Sequence, residues 1–214
     1  KQEFLNLRIF QNRKKKVLQQ KKFCNIFMIK IVITGGIASG KSTALNYFKK
    51  KFYTLNADAE IGKIYNMQKI ADELKHNLGV ATKEEVREEI KKNPYKMRVI
   101  ERILYKQLNK NFKNFERMCR RKNQKYCFYE IPLVFEKNMQ RNYDFIINIE
   151  SSLFKQKSNF LKRQHGDAKL FHFLKNNQLT LEKRRALTKK YNGITILNSG
   201  CSFQLKNKLP NFTR

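Results

Sequence analysis

The run Gly35-Gly36-Ile37-Ala38-Ser39-Gly40-Lys41-Ser42-Thr43 constrains this chain more than any other stretch. Before it stands Ile29-Lys30-Ile31-Val32-Ile33-Thr34, a short β-branched segment of the kind that forms a buried strand. Behind it Ala44, Leu45 and Phe48 fall at helical spacing, so a helix opens at Lys41. Strand, G-x-x-x-x-G-K-[ST] loop and helix, in that order, make a phosphate-binding loop. Its glycines let backbone N–H groups converge on an anion with no Cβ in the way, and the helix N-terminus adds partial positive charge. On this reading Gly35, Gly36, Ile37, Ala38, Ser39, Gly40, Lys41, Ser42 and Thr43 enclose the phosphates of a nucleotide. Lys41 reaches the β- and γ-phosphates, and Ser42 holds Mg²⁺.

A chain of 214 residues buries one sizeable core, with room for a small appendage. Its 47 Lys+Arg against 17 Asp+Glu give a formal charge of +30. Such charge attracts any polyanion. The excess is spread along the whole chain, mostly as lysine beside many asparagines, and a biased composition explains it as well as a partner does. Nucleic acid is therefore not expected to be one. Cys24, Cys119, Cys127 and Cys201 fit neither a zinc pattern nor a disulfide framework, and Cys127 reads as buried packing. Reduced thiols and the lack of an apolar run near the ~18 residues of a membrane helix point to a cytoplasmic protein with no membrane partner.

Residues 1–27 differ from the rest, with eight basic residues against Glu3 and no apolar core of signal-peptide type. Met28 stands directly before the first strand, so 1–27 are expected to be a basic extension outside a fold of residues 28–210. Further strands are expected at Phe52–Leu55, Tyr126–Tyr129, Phe145–Ile149 and Ile194–Leu197. Ile61, Ile64, Met67, Ala71, Leu74 and Leu78 predict one helix that Gly79 stops. Thr82 and Glu85 form a capping box, Pro94 breaks the helix they open, and Met97 to Phe115 mark a long amphipathic helix. Helical segments on either side of Gly166 and another near 180–190 complete the pattern. Strands alternating with helices imply a parallel sheet covered on both faces.

Ligands of open α/β sheets sit at the carboxyl ends of the strands. Three candidates fall there: the loop 35–42, Asp58 after the second strand and Glu130 after the third. Asp58 is alternatively the N-cap of the helix that follows. Glu130 is alternatively a solvated carboxylate or a strand-end acceptor; its place before Ile131-Pro132 suits a role on Mg²⁺ through water.

At this point the chain resembles the dephospho-CoA kinase family, from Met28 to about residue 205. Ile33-Thr34-Gly35-Gly36-Ile37-Ala38-Ser39-Gly40-Lys41-Ser42-Thr43 is similar to that family's T-G-G-I-x-S-G-K-S-T opening. Asn56-Ala57-Asp58 with Ile61 resembles its D-A-D-x-I segment, and Glu130-Ile131-Pro132-Leu133-Val134-Phe135-Glu136 its acidic-hydrophobic-P-L-L-F-E segment. Arg163 precedes Gln178 by fifteen residues as the family's lid arginine precedes a glutamine, and Asn198-Ser199-Gly200 resembles the closing N-x-G turn. The resemblance implies an α/β fold of P-loop kinase type: five parallel strands with helices on both faces, a helical CoA-binding region at 59–122 and a lid at 152–178. It implies ATP-dependent phosphorylation of the ribose 3′-hydroxyl of dephospho-CoA, with ATP and Mg²⁺ as cofactors. Asp58 would take the hydroxyl proton, Lys41 and Arg163 would neutralise the transferring group, and Asn198 and Gly200 would border adenine. Arg87, Pro132 and Leu133 join Asp58 as implied substrate contacts.

The chain departs from the family pattern in places. The first aspartate of D-A-D is Asn56, a His-Pro pair of the helical region is replaced by Tyr105-Lys106, and a second lid arginine is Asn159. Arg87 also reads as part of a solvated helix face. Two alternatives stay open: a related kinase acting on another small hydroxyl or nucleotide, and a basic nucleic-acid-binding protein with a vestigial nucleotide site. No Asn-Lys-x-Asp guanine motif occurs, which disfavours a GTPase.

Overall fold

The computed structural model describes residues 28–163, 167–200 and 202–212, together with Asn12. The expectation for residues 1–27 otherwise lies outside the described residues. In chain order the elements begin with β1 (Ile29–Gly35), α1 (Lys41–Lys49), β2 (Tyr53–Asn56), α2 (Ala57–Tyr65) and α3 (Gln68–Leu78). There follow α4 (Lys83–Lys92), α5 (Met97–Arg121), β3 (Tyr126–Glu130), β4 (Phe145–Glu150), α6 (Leu153–Leu161) and α7 (Ala168–Asn176). The described elements end with α8 (Leu181–Lys190), β5 (Gly193–Leu197) and α9 (Ser202–Lys208).

The five strands form one parallel sheet in the order β2-β3-β1-β4-β5. Ile31 of β1 lies between Phe128 of β3 and Phe145 of β4, and Ile147 of β4 pairs with Ile194 of β5. Every residue of β3 and β4 is buried, and so is every residue of β1 but Lys30. Successive side chains point to opposite faces, so unbroken burial means that both faces of the sheet's centre are covered. The edge strand β2 is only partly buried.

The chain divides into two compact units, Leu55–Met118 and the remainder. In the sheet unit, α1 buries Ala44, Leu45 and Phe48, the three residues whose spacing announced it. Phe48 stacks on Phe128 with ring centroids 4.2 Å apart, and Phe52, Tyr126 and Phe212 close around the pair. Burying a side chain of this size contributes about 1.5–3 kcal/mol. The segment α9, which the sequence pattern did not announce, brings Leu205 and then Leu209 into the same cluster. Cys127 is buried, as its apolar neighbours implied, and is in no disulfide; the same holds of Cys119.

In the unit Leu55–Met118, the single helix expected over Ile61–Leu78 is two helices. Met67, at φ −85° and ψ 122°, is extended and separates α2 from α3. Ile64, Ile70 and Leu74 are still buried, so the apolar spacing spans the break. Gly79 ends α3 in the left-handed conformation, at φ 74°. The capping box holds in both directions: Thr82 Oγ1 accepts from Glu85 N at 3.2 Å, and Glu85 Oε2 accepts from Thr82 N at 3.0 Å. Along α5 Ile100, Leu104, Leu108 and Phe112 are buried as predicted, whereas Met97 is 42% exposed.

Candidate active site

β1 delivers the loop at the carboxyl end of the sheet's central strand. Gly35 has φ 144°, and a Cβ there would overlap the Ile149 carbonyl oxygen of the neighbouring strand. Gly40, the N-cap of α1, has φ 106°, and a Cβ there would lie 2.6 Å from Asn198 Nδ2. Both positions need glycine for conformation and for close approach. Gly40 supplies no side-chain cap to the amides that open α1, and a helix N-terminus of this kind suits an anion. Lys41 is buried and donates to the Gly36 carbonyl at 2.8 Å and the Gly35 carbonyl at 3.3 Å. Its ammonium is thereby folded over the loop.

Ser42 Oγ donates to Glu130 Oε1 at 2.9 Å. Residues 88 apart in the chain meet because β3 runs beside β1 and both end at this loop. A hydroxyl and a buried carboxylate are hard oxygen donors, the chemistry that Mg²⁺ takes. The residues present therefore fit the ion. Pro132 and Leu133 are half-buried in the turn after Glu130, and the Pro132 carbonyl accepts from Thr34 Oγ1 at 3.1 Å.

Three carboxamides, on α6, just after α7 and just after β5, grip three consecutive loop residues. Gln178 Oε1 accepts from Ile37 N at 2.9 Å, Asn159 Nδ2 donates to the Ala38 carbonyl at 3.2 Å, and Asn198 Nδ2 donates to the Ser39 carbonyl at 2.8 Å. Ala38 stands between them at φ 51°, a left-handed conformation that costs a non-glycine residue about 1–2 kcal/mol. Ala38 also packs with Phe160 of α6 and Phe171 of α7, whose rings are 5.6 Å apart. Strain of this kind persists where the surroundings over-determine it.

Gln178 is itself held through the next residue. Glu136 Oε1 accepts from Leu179 N at 2.9 Å, and Arg184 Nη1 donates to the Leu179 carbonyl at 2.7 Å. Arg184 is buried to 1% exposure. Burial pulls its guanidinium below the ordinary arginine value, and the charges of Glu150, Glu136 and Glu182 pull it back. Sequence reading found Glu136 as a motif end and Gln178 as a lid marker, but Arg184 escaped it. Asn159 entered only as a lost arginine.

The other expected residues are placed as follows. Asn56, not Asp58, caps α2, its side chain accepting from Ala59 N at 2.9 Å. The N-cap alternative for Asp58 is thereby corrected; the aspartate lies in the first helical turn and is exposed. Arg87 is exposed on α4, and its charge offsets part of the rise that burial causes in the Tyr65 hydroxyl. Asn198 is buried beside the loop, and Lys155 Nζ donates to its Oδ1 at 3.2 Å and also to the Gly200 carbonyl. Arg163 is exposed just past α6, three residues beyond the buried Phe160. A separate cleft of about 570 Å³, lined by Lys49, Lys50, Lys51, Tyr53 and Lys125 among others, opens where β2 and β3 begin. That is the opposite end of the strands from the loop 35–42. Among the described residues no group of His, Cys, Asp and Glu forms a metal cluster.

The model of the dephospho-CoA kinase family matches residues 29–200. Among curated relatives, the dephospho-CoA kinase of Bartonella quintana is 28% identical over 162 residues, 72% of this chain and 83% of that protein. That of Rickettsia prowazekii is 29% identical over 174 residues, 74% of this chain and 84% of that one. Among solved structures, one from Thermus thermophilus superposes with a TM-score of 0.72 at 20% identity, covering 84% of this chain and 93% of its own. A dephospho-CoA kinase from Campylobacter jejuni superposes with a TM-score of 0.60 at 17% identity, over 85% of this chain and 93% of its own. These two structures show the shared fold.

Proposed function

The chain belongs to the dephospho-CoA kinase family, and on that premise we infer that it transfers the γ-phosphoryl group of ATP to the ribose 3′-hydroxyl of dephospho-CoA, giving coenzyme A and ADP. The observation that carries the reading is the pair Ser42–Glu130, 2.9 Å apart beneath a loop over which Lys41 is folded. In the transfer the 3′-oxygen forms a bond to the γ-phosphorus while the bond from that phosphorus to the β–γ bridging oxygen breaks. Asp58 takes the proton that the hydroxyl releases. The amides at the start of α1 hold the phosphates, and Lys41 leaves the Gly35 and Gly36 carbonyls to balance charge on the transferring group. Ser42 and Glu130 would hold Mg²⁺, which supplies further positive charge at the phosphates.

Residues 59–122 bind the CoA half of the acceptor, with Arg87 among the contacts, and Pro132 and Leu133 line its approach. Residues 152–178 act as the lid that brings Arg163 to the phosphates and excludes water, which suppresses wasteful ATP hydrolysis. Asn198 and Gly200 border adenine; since the Asn198 side chain is spent on Ser39 and Lys155 and its N–H on the Glu150 carbonyl, its contact there is through its own carbonyl. Cys119 and Cys127, the two described cysteines, are in no disulfide, which supports work in the cytoplasm. Among the described residues no helix is long and apolar enough to cross a membrane.

The test is to incubate the protein with ATP, Mg²⁺ and dephospho-CoA and weigh the product for one added phosphoryl group at the 3′ position. ADP release that depends on dephospho-CoA alone among small hydroxyl and nucleotide acceptors is the expected result. Asp58→Asn should retain ATP binding and lose turnover by at least about 10²-fold, the usual worth of a positioned base. Unchanged turnover in that variant would remove Asp58 from the role of base.

A further inference from the structure

The grip on Ile37, Ala38 and Ser39 goes unused by the transfer chemistry, yet it comes from three separate parts of the chain and targets backbone atoms of successive residues. We propose that Asn159, Gln178 and Asn198 are positioning residues that hold the phosphate loop in the shape that takes ATP. The proposal rests on reading the loop as the ATP site and assigns that site three supports.

The loop has physical need of them. Its amides converge on an anion only while the backbone keeps its turn, and Ala38 keeps that turn from the left-handed region at φ 51°. An alanine relaxes out of such a conformation unless its neighbours prevent it. Asn159 holds the Ala38 carbonyl, Phe160 and Phe171 enclose its methyl group, and the flanking residues are fixed by Gln178 and Asn198. Gln178 is anchored in turn, because Glu136 holds the amide N–H and Arg184 the carbonyl of the next residue, Leu179. The glutamate that ends the Pro132-to-Glu136 segment thus acts on the loop through Leu179, 43 residues further along the chain, and Gln178.

Asn159 is the informative member. It stands where the family resemblance places an arginine, and in this chain its amide is turned onto the loop. Asn159 lies on α6 and Gln178 just after α7, so each of these helices is linked to the shape of the loop through one hydrogen bond.

Near-isosteric replacements separate these bonds from packing. Asn159→Leu and Gln178→Met, with binding of Mg²⁺–ATP followed by calorimetry, should each raise the ATP Kd about fivefold, the scale of one net hydrogen bond. The KM for dephospho-CoA should stay as in the unaltered chain. Asn159→Gln, which keeps the donor, should restore most of the ATP affinity. In an Ala38→Gly background, where a left-handed residue no longer needs holding, Asn159→Leu should cost less than about twofold, and this non-additivity is the signature of coupling. ATP binding unchanged in both isosteric variants would overturn the proposal. So would parallel losses for ATP and dephospho-CoA that simply track a fall in melting temperature. If the unaltered chain binds no ATP, the reading of the loop falls, and the proposal falls with it.

Discussion

At the scale of single residues, Lys41 and Ala38 divide the work of the loop. Lys41 is buried and parked on the Gly35 and Gly36 carbonyls, so its charge already lies at the loop proposed to hold the phosphates. Lys41→Met keeps the length and the burial and removes the charge. It should cut phosphoryl transfer roughly 10³-fold, the worth of a preorganised charge at a transition state, while far-ultraviolet circular dichroism stays unchanged. A variant that turned over normally would detach the lysine from the chemistry. The spacing G-x-x-x-x-G-K-S made Lys41 and Ser42 legible, since their roles depend on neighbours within the same nine residues. The grip on Ala38 was not legible, because an asparagine 121 residues away carries no local mark of its target.

At the scale of elements, caps written in the sequence turn into pH dependence. Asp167 opens α7 by accepting from Leu170 N at 3.0 Å, and that bond, with those to Lys169 and Ala168, holds its carboxyl below the ordinary aspartate value. A carboxylate lowered in the folded state stabilises above the unfolded pKa, and that stability is lost as pH falls through the folded value. Acidification below about pH 4 should therefore loosen α7. Asp167→Asn keeps the cap without the titration, so its melting temperature should depend less on pH in that range than that of the unaltered chain. Equal slopes would show that the cap carries no proton linkage. Glu85 acts in the same direction on α4, its carboxyl lowered first by the Ala81 amide and then by that of Thr82. The break at Met67 taught the opposite lesson. Apolar residues at Ile64, Ile70 and Leu74 keep a helical spacing across it, and periodicity alone does not distinguish one helix from two.

At the scale of the whole molecule, a formal charge of +30 acts against compactness. Raising ionic strength from about 0.01 M to about 0.1 M shortens the screening length from roughly 30 Å to roughly 10 Å. The melting temperature should rise over that interval, and thermal scans at fixed pH would show it; a flat response would mean that charge repulsion contributes little. The sequence by itself determined the five strands, the loop on β1, the helix at Lys41 and the carboxylate at the end of β3, because each rests on a period or motif read within about ten residues. The tertiary structure alone decided that Ser42 meets Glu130, that Asn56 rather than Asp58 caps α2, and that three carboxamides close on Ile37, Ala38 and Ser39. Those last bonds join residues 141, 121 and 159 positions apart. Contacts at such separation are made by the packing of whole elements, which leaves no periodic trace in the chain.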